Sequence, residues 1–385
     1  MKLGVLVVGS LTWGLLNVLP ATATACGGGG MTTVRGGVVA NAQRVILSAR
    51  QDGTTDTVVQ VSVPTTSADY GVLIPVPSEP ALDDEPVSAS DLDALDQLTA
   101  PQIYKTTGGG GSTSPGCNCG SANDDDSSGA GPGTGRSVSV SSPVEIGPVT
   151  AVTLTADDAD AVNGWLADNG FVIPDDRVAL LDNYVASGRY FIAIKRSSSA
   201  TSSSPSSVGI HYTLQGDHRL LSLAFARLGA APSVSFTVFV ASASPWSVSP
   251  STPFQALTLS DLDATLLRAD NYALAVQTAV KAHGALAFVL ESTTSLATIE
   301  QQSPSISAHS VLRRIFDNGS AITRMSTVLA ADDLTQDATF FGPTQPFPAV
   351  RYVQNDRPNP KHASVGLVVG LAAAGLLRRR RRARG

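Results

Sequence analysis

The sequence is poor in the side chains that most enzyme chemistry uses. Its 385 residues hold three cysteines, five histidines, 15% charged residues and 5% aromatic ones. Three cysteines exclude a disulfide-dense scaffold, and one thiol must be left over or modified. The histidines (His211, His218, His283, His309 and His362) include no H-E-x-x-H or other close pair, so no zinc-protease helix is encoded. No serine stands in G-x-S-x-G, which removes the nucleophile elbow. The glycine run Gly129–Gly135 mimics a nucleotide loop, but no strand precedes it and no helix follows it. The carboxylate pairs Asp83-Asp84, Asp157-Asp158, Asp175-Asp176 and Asp332-Asp333 fall at expected turns or helix starts, where capping explains them more simply than acid–base work. No catalytic, cofactor-binding or metal-ligating residue follows from these patterns. His211 and His218 lie seven residues apart with Asp217 beside the second. A hairpin would bring them together, and an exposed turn at Gln215–His218 is the simpler reading.

Charge is scarce at the ends in one sign and abundant in the other. All 32 acidic residues lie between positions 26 and 362, whereas Lys2 and six terminal arginines lie outside those bounds. Without those seven, 19 of the 26 basic residues face 32 acidic ones, a net charge of −13 for the body. A body this acidic repels nucleic acid. Apolar residues make up 43%, enough to bury a substantial core.

Residues 1–25 read as an export signal. Lys2 supplies the positive start, Leu3–Leu19 a mostly apolar run, and Ala23-Thr24-Ala25 a small-residue cleavage site. Cleavage between Ala25 and Cys26 would leave Cys26 as the first mature residue, open to lipidation or to a disulfide in an oxidising compartment. Pairing Cys26 with Cys117 or Cys119 closes a loop of roughly ninety residues, worth up to about 4 kcal/mol. A Cys117–Cys119 bridge is geometrically strained. No histidine lies near these cysteines to complete a metal site.

At the other end, the proline-rich segment 343–362 reads as a semi-rigid stalk. Ala363–Leu377 follows without a charge, and Arg378, Arg379, Arg380, Arg381 and Arg382 open a basic tail over 378–385. As a helix, the apolar segment would span about 23 Å, short of the bilayer's core of about 30 Å unless the arginines snorkel. The positive-inside rule places those arginines in the cytoplasm and the body outside.

Between the ends, the pattern predicts one α+β domain over 26–342, with mixed, largely antiparallel sheets and several capped helices. Unstructured insertions are expected at about 107–136 and 197–207, which are rich in glycine and serine. Val58–Val63 and Gly71–Val76 read as the two strands of a hairpin. Further strands are expected at Val149–Leu154, Arg189–Lys195, Ile210–Leu214, Leu220–Arg227, Ser233–Ala241 and Ala285–Leu290. Helices are expected after caps at Ser90, Thr155 and Ser260, the last running over Leu262–Ala282, and another over Asp175–Ala186.

Several stretches taken in order resemble a bacterial family of exported proteins, the domain of unknown function 2330 (DUF2330). They include "ACGG" at Ala25–Gly28, "NAQRVILSA" at Asn41–Ala49 and "YGVLIPVPSEP" at Tyr70–Pro80. "DADAVNGWLADNGFVIPDD" at Asp158–Asp176, "YVASGRYFIAIK" at Tyr184–Lys195 and "ITRMSTVLAADDLTQDATF" at Ile322–Phe340 continue the series. The resemblance implies export and a staple from Cys26 to Cys117 or Cys119, and it assigns no reaction. The family's second cysteine after "CGG" falls here on Gly29, Gly30 and Met31, which leaves the pairing open. The C-terminal helix and arginines are similar to myxobacterial-type sorting signals.

The expectation is therefore a protein of the bacterial cell envelope, membrane-anchored through the C-terminal helix, or released or surface-displayed after C-terminal processing. It would be a non-catalytic binding or structural module without a cofactor, with an envelope protein or surface ligand as partner. The alternative is an envelope hydrolase whose site is assembled from distant segments.

Overall fold

The computed structural model describes residues 30–31, 42–62, 71–104, 138–341 and 352–354, apart from 172, 202, 230–231, 246, 268–270 and 318. Among them, nine strands form a large sheet: β2 (Ala42–Ala49), β3 (Thr54–Ser62), β5 (Ala81–Leu82), β6 (Val87–Ser88), β12 (Ser207–Gln215), β14 (Ser233–Ser242), β16 (Gln255–Thr258), β17 (Ala287–Ser295) and β18 (Ala321–Ala330). Their order is β16-β17-β18-β14-β2-β3-β12, with β5 and β6 both pairing with the outer side of β12. The second sheet is β1 (Gly30–Met31), β4 (Gly71–Val76), β11 (Tyr190–Arg196), β10 (Val149–Thr155), β8 (Ser139–Val140) and β9 (Val144–Ile146). Short pairs add β13 (Leu220–Leu221), β15 (Ser249–Pro250) and β19 (Ala338–Phe341), and β7 (Gln102–Tyr104) with β20 (Tyr352–Gln354). Most pairings are antiparallel. The exceptions are β2 with β14, β16 with β17 and β7 with β20.

Alternating side chains assign each sheet face its partner. Val45 and Leu47 of β2 join Val72 and Ile74 of β4 and Ile192 and Ile194 of β11 in one apolar layer between the sheets. The residues between them, Ile46 on one sheet and Leu73, Phe191 and Ala193 on the other, point outward into two further layers. Over the large sheet lie α1 (Ala89–Thr99), α6 (Leu296–Gln302), α7 (Pro304–Ala308) and α8 (Ser310–Asp317). Over the second sheet lie α2 (Ala159–Asp168), α3 (Val178–Ala186) and α4 (Leu223–Ala226). The result is α/β/β/α, with α5 (Tyr272–Ala282) packing against β17 and β18 on the inner side. The fold is α+β with largely antiparallel sheets, as the pattern indicated.

The expected hairpin does not form. β3 uses both of its edges on β2 and β12, so the next strand, β4, pairs with β11 in the other sheet. The first two helix caps also shift. Ser88, two residues before Ser90, accepts the Asp91 N–H at 3.1 Å. Asp158, three residues after Thr155, accepts the Asp160 N–H at 3.0 Å. The long helix expected from Leu262 starts only at Tyr272. A Thr258–Asp261 capping box closes a 3-10 turn over Leu259–Asp261, and Asp263 then accepts the Thr265 N–H at 2.8 Å. That local turn competes with helix propagation. Leu220–Arg227 is strand only at Leu220–Leu221, because Leu223–Ala226 turn into α4 and bury all four side chains. Part of the serine-rich stretch expected as an unstructured insertion is tied down: Ser197 is buried, and its hydroxyl donates to Glu145 at 2.6 Å.

The edge of the large sheet matters most for the site. β5 and β6 lie along β12, and the chain between them loops out opposite His211, with the Asp83 N–H donating to the His211 carbonyl at 3.2 Å. Gly209 permits this close approach, since a Cβ there would sit 2.8 Å from Val87 Cβ and 3.0 Å from Val58 Cγ1.

Candidate functional site

One cross-strand row of the large sheet carries two polar clusters. It runs Arg324, Phe239, Ile46, Val58, His211 across β18, β14, β2, β3 and β12. Four steps between strands place its ends about 19 Å apart. Ile46, Val58 and Phe239 in the middle are buried under the helices.

His211 ends the row at the sheet edge and is 2% exposed. Its Nε2 lies 3.0 Å from Asp56 Oδ1 and its Nδ1 lies 3.2 Å from Asp83 Oδ2. Asp56 comes from β3 and is fully buried. It also accepts the Thr213 hydroxyl at 3.0 Å, and its second oxygen lies 3.7 Å from the Arg50 guanidinium. Asp83 comes from the edge loop, accepts the Glu85 N–H at 3.1 Å and pairs with Arg314 of α8 at 2.5 Å. Burial alone would raise both carboxyls. For Asp56 the His211 hydrogen bond and charge outweigh it, and for Asp83 the Arg314 hydrogen bond leads, so both sit below the ordinary carboxylate range.

A neutral imidazole donates through one nitrogen, whereas an imidazolium donates through both. Two carboxylates therefore match the charged ring, and with both nitrogens engaged none is left over for a substrate. The cleft beside this cluster has a volume of about 440 Å³, lined by Leu82, Asp83, Asp84, Val144, Thr213 and Arg314 around the His211 edge. Along the same seam His309 Nε2 lies 3.0 Å from the Pro86 carbonyl, and the Ser310 hydroxyl donates to Glu85.

Arg324 ends the row at the other side. It pairs with Glu291 through its Nε and with Asp96 of α1 through a terminal nitrogen, and its guanidinium lies 5.7 Å from the Phe239 ring centre. Glu291 sits at the irregularity in β17 pairing, between Leu290 and Ser292, and it also accepts the Tyr272 hydroxyl at 2.6 Å and that of Ser326. Burial and the Glu291 charge push the Tyr272 phenol well above its usual range. Burial acts to lower the Arg324 value, but the charges of Glu291 and Asp96 dominate and hold the guanidinium protonated. Arg44 extends the network to the surface, at 2.5 Å from Asp93 and 3.3 Å from Asp96.

The structure does not bring His211 and His218 together. The His218 ring packs on Gly216, which has φ +97°, in the turn after β12. The turn reading therefore holds for His218, while His211 is buried on the strand. Asp83, read from sequence as a turn residue, is both: one oxygen caps the Glu85 N–H and the other joins the cluster. Asp158 is a cap, and Asp175-Asp176 and Asp332-Asp333 sit in 3-10 turns. Cys26, Cys117 and Cys119, the Ala25–Cys26 junction, and the anchor residues Ala363, Leu377 and Arg378–Arg382 lie outside the described residues. Among the described residues, no group of three or more His, Cys, Asp or Glu is placed to hold a metal ion. No described helix is long and apolar enough to cross a membrane.

The model of a family of uncharacterised proteins conserved in bacteria, DUF2330, matches residues 20–251. No curated protein and no solved structure matches the chain.

Proposed function

The chain belongs to the bacterial DUF2330 family, and from that premise we propose that it is an exported envelope protein whose body is a non-catalytic binding or structural module. The observation that carries the non-catalytic reading is the engagement of His211. The imidazole at the cleft is buried, with a carboxylate on each nitrogen. A general base needs a nitrogen within reach of the proton it abstracts. His211 instead holds β3, β12 and the edge loop in register.

The export and anchoring parts of the reading are supported by the apolar run before Ala25 and by the Ala363–Leu377 segment with its arginines. The body would stand outside the cytoplasmic membrane, held by the C-terminal helix or passed to the surface after processing. The cleft beside Asp83, Asp84 and Arg314 is the face offered to a partner.

Two experiments test this. Mass spectrometry of the native mature protein reads both ends, any lipid on Cys26 and the disulfide. Cleavage after Ala25 is expected, and an intact Met1 end contradicts export. Incubation of the purified protein with broad hydrolase substrates is expected to give no turnover. Turnover abolished by His211→Gln would establish the hydrolase alternative instead.

A further inference from the structure

We propose that His211 is a pH-operated latch that fastens the edge loop Asp83–Pro86 and helix α8 to the large sheet, closed when the imidazole is charged and loosened when it loses a proton. The inference rests on the reading of His211 as a clamp and adds its regulation.

The geometry supplies an asymmetric pair of acceptors. Asp56 on the Nε2 side belongs to a central strand pairing, is fully buried, and is further held by Thr213 and by the Arg50 charge. Asp83 on the Nδ1 side belongs to a loop, its side chain is 21% exposed, and it has Arg314 as a second cationic partner. When the ring gives up one proton, it must face one carboxylate with a lone pair. Facing the buried Asp56 that way would leave a desolvated charge with poorer compensation, which is the costlier arrangement. The proton therefore leaves Nδ1, and Asp83 loses its attraction.

Asp83 is the point where this change becomes mechanical. Its loop touches α8 at two places, Arg314 on Asp83 and the Ser310 hydroxyl on Glu85, and the residue before α8 at a third, His309 Nε2 at the Pro86 carbonyl. The charged and titratable groups around the latch are thus Asp56 and Arg50 from the sheet side. From the loop they are Asp83, Asp84 and Glu85, from α8 it is Arg314, and from the residue before α8 it is His309. Loosening this seam would widen the cleft that Asp83, Asp84 and Arg314 line, so acid would favour the closed edge and alkali the open one.

Amide hydrogen exchange of the full-length protein at about pH 6 and about pH 8.5, corrected for intrinsic chemistry, tests the latch across the range where histidine commonly changes charge. The segments Asp83–Ser88 and Ser310–Asp317 should exchange roughly three- to tenfold faster at the higher pH, the equilibrium equivalent of one net hydrogen bond. The centre of β14 should show no such step. His211→Gln, which does not titrate, should abolish the step. If that variant does not fold, Asp83→Asn, altered only at the exposed side of the clamp, should give the same flat profile. A flat wild-type profile, or a step of wild-type size in Asp83→Asn, would overturn the latch. Turnover lost in His211→Gln would overturn the non-catalytic reading, whereas a flat wild-type profile without turnover overturns the latch alone.

Discussion

The clusters at Arg324 and at His211 end the same cross-strand row and are built from similar parts, a basic side chain between two carboxylates. They differ in cover. Arg324 and Glu291 are 8% and 1% exposed, and partners arrive from both faces of the sheet: Tyr272 of α5 on one and Asp96 of α1 on the other. Every contact there joins one regular element to another. At His211 one carboxylate is equally buried, but the other sits on a loop at the sheet edge beside a cleft. The first arrangement is a fixed strut. The second has a soft side, and only a soft side can respond to pH or to a partner.

Breaking the strut should have the largest effect. Glu291→Gln leaves a buried guanidinium short of its main partner, and loss of one member of such a pair costs about 3–5 kcal/mol. A shift in the denaturant midpoint of that size is expected, and a shift near zero would mean that water reaches the cluster. Asp56→Asn comes next. It removes the buried acceptor charge from His211 and the charge opposite Arg50, at a cost of about 1–3 kcal/mol. A cost equal to that of Glu291→Gln would erase the contrast between the two ends.

Acid titration separates the carboxyls by the sign of their shifts. Asp56 and Asp83 have folded values below the ordinary 3.8, so the unfolded chain takes up their protons first as pH falls. Their contribution is fully present above about 3.8 and is lost as pH drops through the lower folded values. Asp337 runs the other way. Burial raises it despite the Tyr184 hydroxyl donating at 2.6 Å, so its contribution is present below the ordinary carboxyl value and is lost as pH rises through the folded one. The double variant Asp56→Asn, Asp83→Asn should therefore flatten the acid limb of the stability profile, and an unchanged limb would refute the assignment. The smallest effect is expected from Arg314→Ala. Its side chain is 46% exposed, so solvent screening limits the loss of global stability to about 0.2–1 kcal/mol. Its consequence should be local, as faster exchange in α8.

The sequence made the layers partly legible because alternation and helix stops are local. Gly71–Val76 is a strand with the expected ends, and Asn169-Gly170 closes α2 with Gly170 at φ +79°. Pairing was not legible, since nothing within Val58–Val76 tells that β3 has already spent both edges on β2 and β12. The site was hidden for the same reason. Asp56, Asp83, His211 and Arg314 are each unremarkable where they stand, and the contacts span up to 231 positions. One signal was present: His211 interrupts an apolar run between Ile210 and Tyr212 with flanking strand residues. Thr213, two residues on and on the same face, marked with it a side of β12 that needed polar partners.

Both ring nitrogens of His211 face a carboxylate. Nitrogen-15 NMR of the histidine rings at about pH 6, with His211 assigned by substitution, reads it directly. A His211 ring hydrogen-bonded and protonated at both Nδ1 and Nε2 is the expected result. A neutral His211 ring with one free nitrogen would contradict it.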